Sequence, residues 1–230
     1  MLNMTTMAMG MRKKITFHSV MPQFDIPKPV PASRFVPEWY RKMNGVNSGI
    51  MTVKKCVPFL DSMTQGYVIT LPVDVIWDSK NKKFLTQAKF DVNADHHPEQ
   101  VLGVDIGEEY DRQPHKWVNL WHVKTPKGYS TLFVHPLNRT DLPFHSFSGI
   151  VDTDTHPLVV NFPFVLKKDF DGLIPAGTPI MQVIPFKRDD WDAKVIDTGK
   201  PHEGNSRSWE VLSPPFGWYK RNWWKRKNFS

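Results

Sequence analysis

Between Gly128 and Lys187 the chain reads GYSTLFVHPLNRTDLPFHSFSGIVDTDTHPLVVNFPFVLKKDFDGLIPAGTPIMQVIPFK. Short runs rich in Val, Ile, Phe and Leu are broken, about every eight to twelve residues, by Gly, Pro, Asn or Asp. β-branched and aromatic side chains in such short runs fit a pleated, half-buried surface. The breaks come too often for a helical stripe to develop, so this stretch has to fold as strands joined by tight turns.

The rest of the chain agrees with that reading. Thr16 and Phe17, with Ile15 before them, form a strand, and the proline-punctuated segment from Pro22 to Pro31 wanders over the surface because proline cannot donate to a ladder. A short helix is expected after it, with Ser33 as N-cap, Pro37 in the first turn and a left-handed end at Asn44 and Gly45. Its buried face would hold Trp39, Tyr40 and Met43. A second helical turn is expected over Pro58 to Thr64, closed by Gly66, then a strand from Tyr67 to Trp77. The polar cluster Asp78 to Lys83 turns a hairpin whose return strand runs from Phe84 to Val92. The segment Val92 to Glu99 reads as a loop, and Trp117 to Val123 alternates apolar with polar as one half-buried strand. The expected class is therefore all-β, with short helices near the N-terminus.

With 230 residues the chain is long enough for one sizeable core. Cys56 is its single cysteine, which excludes an intrachain disulfide and points to a reducing compartment. Residues 1–14 read as a flexible leader. Its basic residues follow the apolar stretch, the wrong order for a secretory signal, and nowhere do eighteen apolar residues run together as a membrane-spanning helix would need. A single β-rich domain over residues 15–200 and an arm over 201–230 complete the expected organisation.

The formal net charge of +7 invites an anionic partner. Much of the excess sits at the ends, in Arg12, Lys13 and Lys14 and in Lys220, Arg221, Lys225, Arg226 and Lys227. Trp218, Tyr219, Trp223 and Trp224 are interleaved with the last of these. Such an arm either stacks on bases while neutralising phosphates or docks on a neighbouring subunit with its lysine stems laid along the surface. Docking is favoured, because so many tryptophans are costly to leave in water.

The strand order over residues 128–187 resembles the core of the deoxyuridine triphosphatase and dCTP deaminase superfamily, a β-clip fold. Gly128 and Tyr129 open the first strand, which leads to a basic turn through His135, Pro136, Leu137, Asn138 and Arg139. Gly149 to Thr155 follows as the Gly-x-x-Asp turn, and Gly177, Ile180 and Gln182 lie in the closing strand. The resemblance implies Asp152 as a base, Arg139 on a phosphate, Asn138, Asp154 and Gln182 around a ligand, and Mg2+ if a nucleotide is hydrolysed. It also implies a trimer with arms exchanged between neighbours. The chain departs from the pattern where chemistry needs it: the phosphate-binding serine of the basic turn is missing, and Thr155 stands in place of the sugar-stacking tyrosine.

Over more of its length the chain resembles a family found in tailed phages and bacteria for which no activity is known. The expectation is a non-catalytic structural or assembly protein of a virion, in the host cytoplasm or the particle, with other virion proteins or nucleic acid as partners. A nucleotide binder or hydrolase is the alternative.

A third reading is a metal enzyme. His96, His97 and Glu99, with His135 downstream, have a likeness to the His-x-His and Glu ligand set of a cupin site. Adjacent strand residues face opposite ways, so His96 and His97 reach one metal only from a loop. Cys56, between Lys55 and Val57, reads as core rather than nucleophile. No P-loop, Rossmann glycine motif or Gly-x-Ser-x-Gly elbow occurs.

Overall fold

Strands dominate, as the β-branched runs require, and the protein is mainly β. The computed structural model describes residues 13–197 and 218–230. Most of the expected leader and the first part of the arm lie outside the described residues. The N-terminal part runs β1 (Thr16–Ser19), β2 (Val30–Pro31), a 3-10 turn at Ala32–Phe35, α1 (Glu38–Lys42), β3 (Val46–Asn47) and β4 (Ile50–Met51). A second 3-10 turn (Val53–Lys55), α2 (Val57–Thr64), β5 (Tyr67–Thr70), β6 (Val75–Asp78), β7 (Lys83–Thr86) and β8 (Asn93–Asp95) follow. After a third 3-10 turn at Pro98–Val101 come β9 (Tyr110–Trp117), β10 (Trp121–Lys124), β11 (Tyr129–Val134), β12 (Phe144–Ser146) and β13 (Gly149–Val151). β14 (Phe162–Lys167), β15 (Gly172–Ile174), β16 (Pro179–Lys187) and α3 (Trp218–Asn222) complete it.

Two larger sheets carry the fold. One has the order β13-β11-β16-β5-β2, the other β12-β14-β9-β8, and all their pairings are antiparallel. A three-stranded sheet, β15-β6-β7, and the two-stranded β1-β10 and β3-β4 pairs make up the rest. Alternation along the strands sends Phe133, Phe162, Phe164, Met181 and Val183 into a common core, where Trp117 stacks on Phe164 with ring centroids 3.9 Å apart. Burying each such side chain contributes roughly 1.5–3 kcal/mol.

Several boundaries differ from the sequence reading. The expected strand Tyr67 to Trp77 is two strands in different sheets: β5 ends at Thr70, Pro72 follows, and the chain crosses to β6. The expected strand Trp117 to Val123 also breaks. The Asn119 side chain donates to the Trp121 carbonyl (2.8 Å) and accepts from its N–H (3.0 Å), bending the backbone between β9 and β10. The return strand of the first hairpin ends at Thr86, and the expected loop Val92 to Glu99 contains β8. Ser33 lies inside a 3-10 turn, α1 is preceded by Pro37, and its end is the extended Met43; the left-handed residues are Ser48 and Gly49 in the β3-β4 hairpin. Tyr40 is the buried residue of α1. Among the described residues no helix is long and apolar enough to cross a membrane.

Candidate functional site

β11 lies between β13 and β16, with Thr131 opposite Val151 and Ser130 opposite Phe186. That register brings the Asp152-Thr153-Asp154 turn beside the start of β11 and beside Arg188, just past β16. Ser130 Oγ donates to Asp152 Oδ1 at 2.6 Å, and the Arg188 guanidinium reaches the same oxygen at 3.2 Å. Asp154 takes two bonds from Arg188 (2.9 and 2.5 Å) and one from the Gly128 N–H (2.8 Å). Its carboxylate is 2% exposed, against 61% for Asp152. Arg188's hydrogen bonds, then the Gly128 N–H, hold the Asp154 carboxyl far below the usual range despite the opposing effect of burial. Between the two aspartates Thr153 points inward, and its hydroxyl bonds to those of Thr125 and Thr131, both at 2.7 Å. The result is a clasp that ties the loop after β13 to β11 and β16.

Asn138, Arg139 and Gln182 gather at the other end of β11. Gln182, 1% exposed, accepts from the Leu137 N–H (2.9 Å) and donates to the Ser62 and Gln65 carbonyls (2.9 and 2.6 Å), fastening α2 and the 136–139 turn to β16. Asn138 sits at φ +60°, where asparagine is tolerated, and donates to Ser62 Oγ at 2.8 Å. Arg139, 14% exposed, forks onto Asp141 (2.8 Å from both Nε and Nη2) and bonds the Phe35 carbonyl. Ser130 and Val134 are four residues apart along β11, about 14 Å. The aspartates and the Asn138, Arg139 and Gln182 group therefore lie at opposite ends of β11 within one chain.

The histidine set does not converge either. His97 Nδ1 accepts from the Glu99 N–H at 3.3 Å and caps the third 3-10 turn, with the Glu99 carboxylate 3.9 Å from the ring. The His96 N–H bonds the Pro114 carbonyl, extending the β8-β9 ladder, while burial and then Lys116 push the His96 imidazole pKa down. His135 packs on His145, their ring centroids 4.6 Å apart. His145 pairs with Val165, and Val165 with Pro114. His96 and His145 thus end a row three strand spacings long, about 14 Å. Both His135 nitrogens are engaged: Nδ1 accepts from the Ser146 N–H (3.2 Å), and Nε2 donates to the Arg139 carbonyl (3.2 Å). Burial is the main cause of its pKa falling to about 4. Among the described residues no group of three or more His, Cys, Asp or Glu side chains is placed to hold a metal ion.

The described end of the arm, residues 218–230, makes contacts with its own chain. Trp218 and Tyr219 begin α3, and Tyr219 meets Trp223 edge-on at 6.3 Å. Trp224 Nε1 donates to Asp61 of α2 at 2.7 Å, and Lys227 pairs with the same carboxylate. Phe229 packs edge-on against Tyr67 at 5.8 Å, and the Tyr67 hydroxyl bonds the Ser230 carbonyl at 3.3 Å. Lys220 and Lys227 lie over the Trp224 ring.

Arg188 is the residue that sequence reasoning missed. Its only signal was a cation just beyond the closing strand, which acquires meaning once the β11-β16 register is known. Comparison with protein families, with characterised proteins and with solved structures found no match.

Proposed function

We propose that the protein is a non-catalytic structural or assembly component of a phage particle, built on a β-clip-type frame. The observation that carries this reading is the use made of the would-be catalytic group. Asp152 Oδ1 is engaged by Ser130 and Arg188, about 14 Å along β11 from the residues that would hold phosphate and base. Phosphoanhydride hydrolysis needs a metal-bridged phosphate and several donors focused on one centre, and these groups serve the frame instead. The phage source rests on the likeness of the Gly128-Tyr129, Asn138-Arg139 and Gly149-Asp154 features to the family of tailed phages and bacteria.

The outer face of the larger sheet supports assembly. Ile150, Leu132 and Ile184 stand in one cross-strand row, with Phe186 beside them, and Ile150 is 65% exposed on the edge strand β13. An apolar row on an unpaired edge suits association with further copies, and the β-clip resemblance implies a trimer. Sedimentation velocity at micromolar protein is expected to give a trimer, and Ile150→Glu is expected to give a folded monomer. A wild-type monomer throughout, or nucleotide turnover that Asp152→Asn abolishes, would overturn the proposal.

A further inference from the structure

A cleft of about 620 Å³ opens between the 3-10 turn Ala32–Phe35, the start of α1, and Pro179. Four of its lining side chains are cations, Arg34, Arg41, Lys42 and Arg139, and one, Glu38, is an anion. Glu38 is taken by Lys42 at 2.8 Å on the solvent side, and Arg139 is neutralised from outside the cleft by Asp141. Arg34 and Arg41 form no ion pair among the described residues. The Arg41 guanidinium bonds the Arg34 backbone carbonyl at 3.4 Å, which sets the Arg41 head against the turn that carries Arg34.

Like charges gathered at one concave surface repel, and a bound anion relieves that repulsion. Guanidinium forks match phosphate oxygens two at a time, which a lysine cannot do. Phe35, Pro37 and Pro179 add an apolar floor, and the volume falls in the range of about 300–1,000 Å³ typical of small-molecule sites. We propose that this cleft binds a small anion carrying two or more phosphate groups, with Arg34 and Arg41 as direct donors and Arg139, held by Asp141, as a fixed edge of the cleft. The site shares no residue with the Asp152 clasp and stands apart from the assembly reading.

Calorimetric titration with inorganic pyrophosphate, ATP and oligothymidylate at low salt tests it, with each variant's oligomeric state measured alongside. Saturable binding of pyrophosphate and ATP is expected. In Arg34→Ala/Arg41→Ala it should weaken by about tenfold or more, as expected for lost charge-assisted bonds. Both arginines are exposed, so the fold and oligomer should be unchanged. Lys124→Ala/Lys127→Ala, outside the cleft, should bind as the wild type does. Oligothymidylate binding that falls in parallel in the arginine variant would support the same site with a phosphodiester as the source. Oligothymidylate binding with pyrophosphate and ATP silent would overturn the small-anion assignment. So would no heat with any probe at millimolar concentration, or equal affinity in the arginine variant.

Discussion

Gln182 shows how a residue's role changes once its surroundings are known. By sequence it sits in the closing Gly-x-x-Ile-x-Gln strand and belongs to a ligand site. In the fold its amide is buried and its three hydrogen bonds go to Leu137, Ser62 and Gln65. A buried amide whose two N–H groups and oxygen are bonded to the backbone holds the frame, and at 1% exposure it is closed off from a ligand. Gln182→Ala leaves one N–H and two carbonyls to find new partners and is expected to cost about 2–4 kcal/mol. A lower urea midpoint with an unchanged m-value would report that loss. A wild-type midpoint would show that water or a neighbour replaces the amide. Asn138 and Arg139 follow the same rule. Their polar identity at a strand end was legible in the sequence, but the Ser62 partner of Asn138 was not, because that contact spans 76 positions.

Among the elements, those set by local chemistry were the most legible. Gly66 was expected to close α2; the helix ends at the extended Gln65, and Gly66 follows it as the left-handed residue, at φ +71°. The reason is partly tertiary: a Cβ there would meet the Val183 carbonyl oxygen at 2.2 Å, because β5 starts against β16. Gly66→Ala therefore combines a left-handed backbone with a clash against a central strand. It should destabilise by about 2–4 kcal/mol, well beyond the roughly 1 kcal/mol of an unhindered positive-φ site, as read by thermal or urea unfolding. A cost of 1 kcal/mol or less would mean that β16 yields. The strand breaks at Pro72 and Asn119 were missed for a different reason. Apolar alternation continues across both, and periodicity records which residues are buried without recording in which sheet.

For the whole molecule, the arm decides how much of the aromatic surface is covered. Trp224 and Lys227 converge on Asp61, and Phe229 lies on Tyr67, so the C-terminus is pinned to α2 and β5. Trp224→Ala removes the central bond and the ring under two lysines. It is expected to leave the core's unfolding midpoint nearly unchanged while making the tail beyond α3 the first site of limited proteolysis. Equal resistance to protease would show that Phe229 and Lys227 suffice to hold it. The sequence by itself determined the mainly β class, the hairpin at Asp78–Lys83 and the turn at Gly66, because side-chain size, β-branching and glycine act within a few residues. Only the tertiary structure decided that Asp152 meets Arg188, that Gln182 fastens α2, that the histidines stand apart and that Trp224, Lys227 and Phe229 meet α2 and β5. Each depends on strand order and register, which join residues far apart along the chain through backbone ladders that carry little side-chain signal.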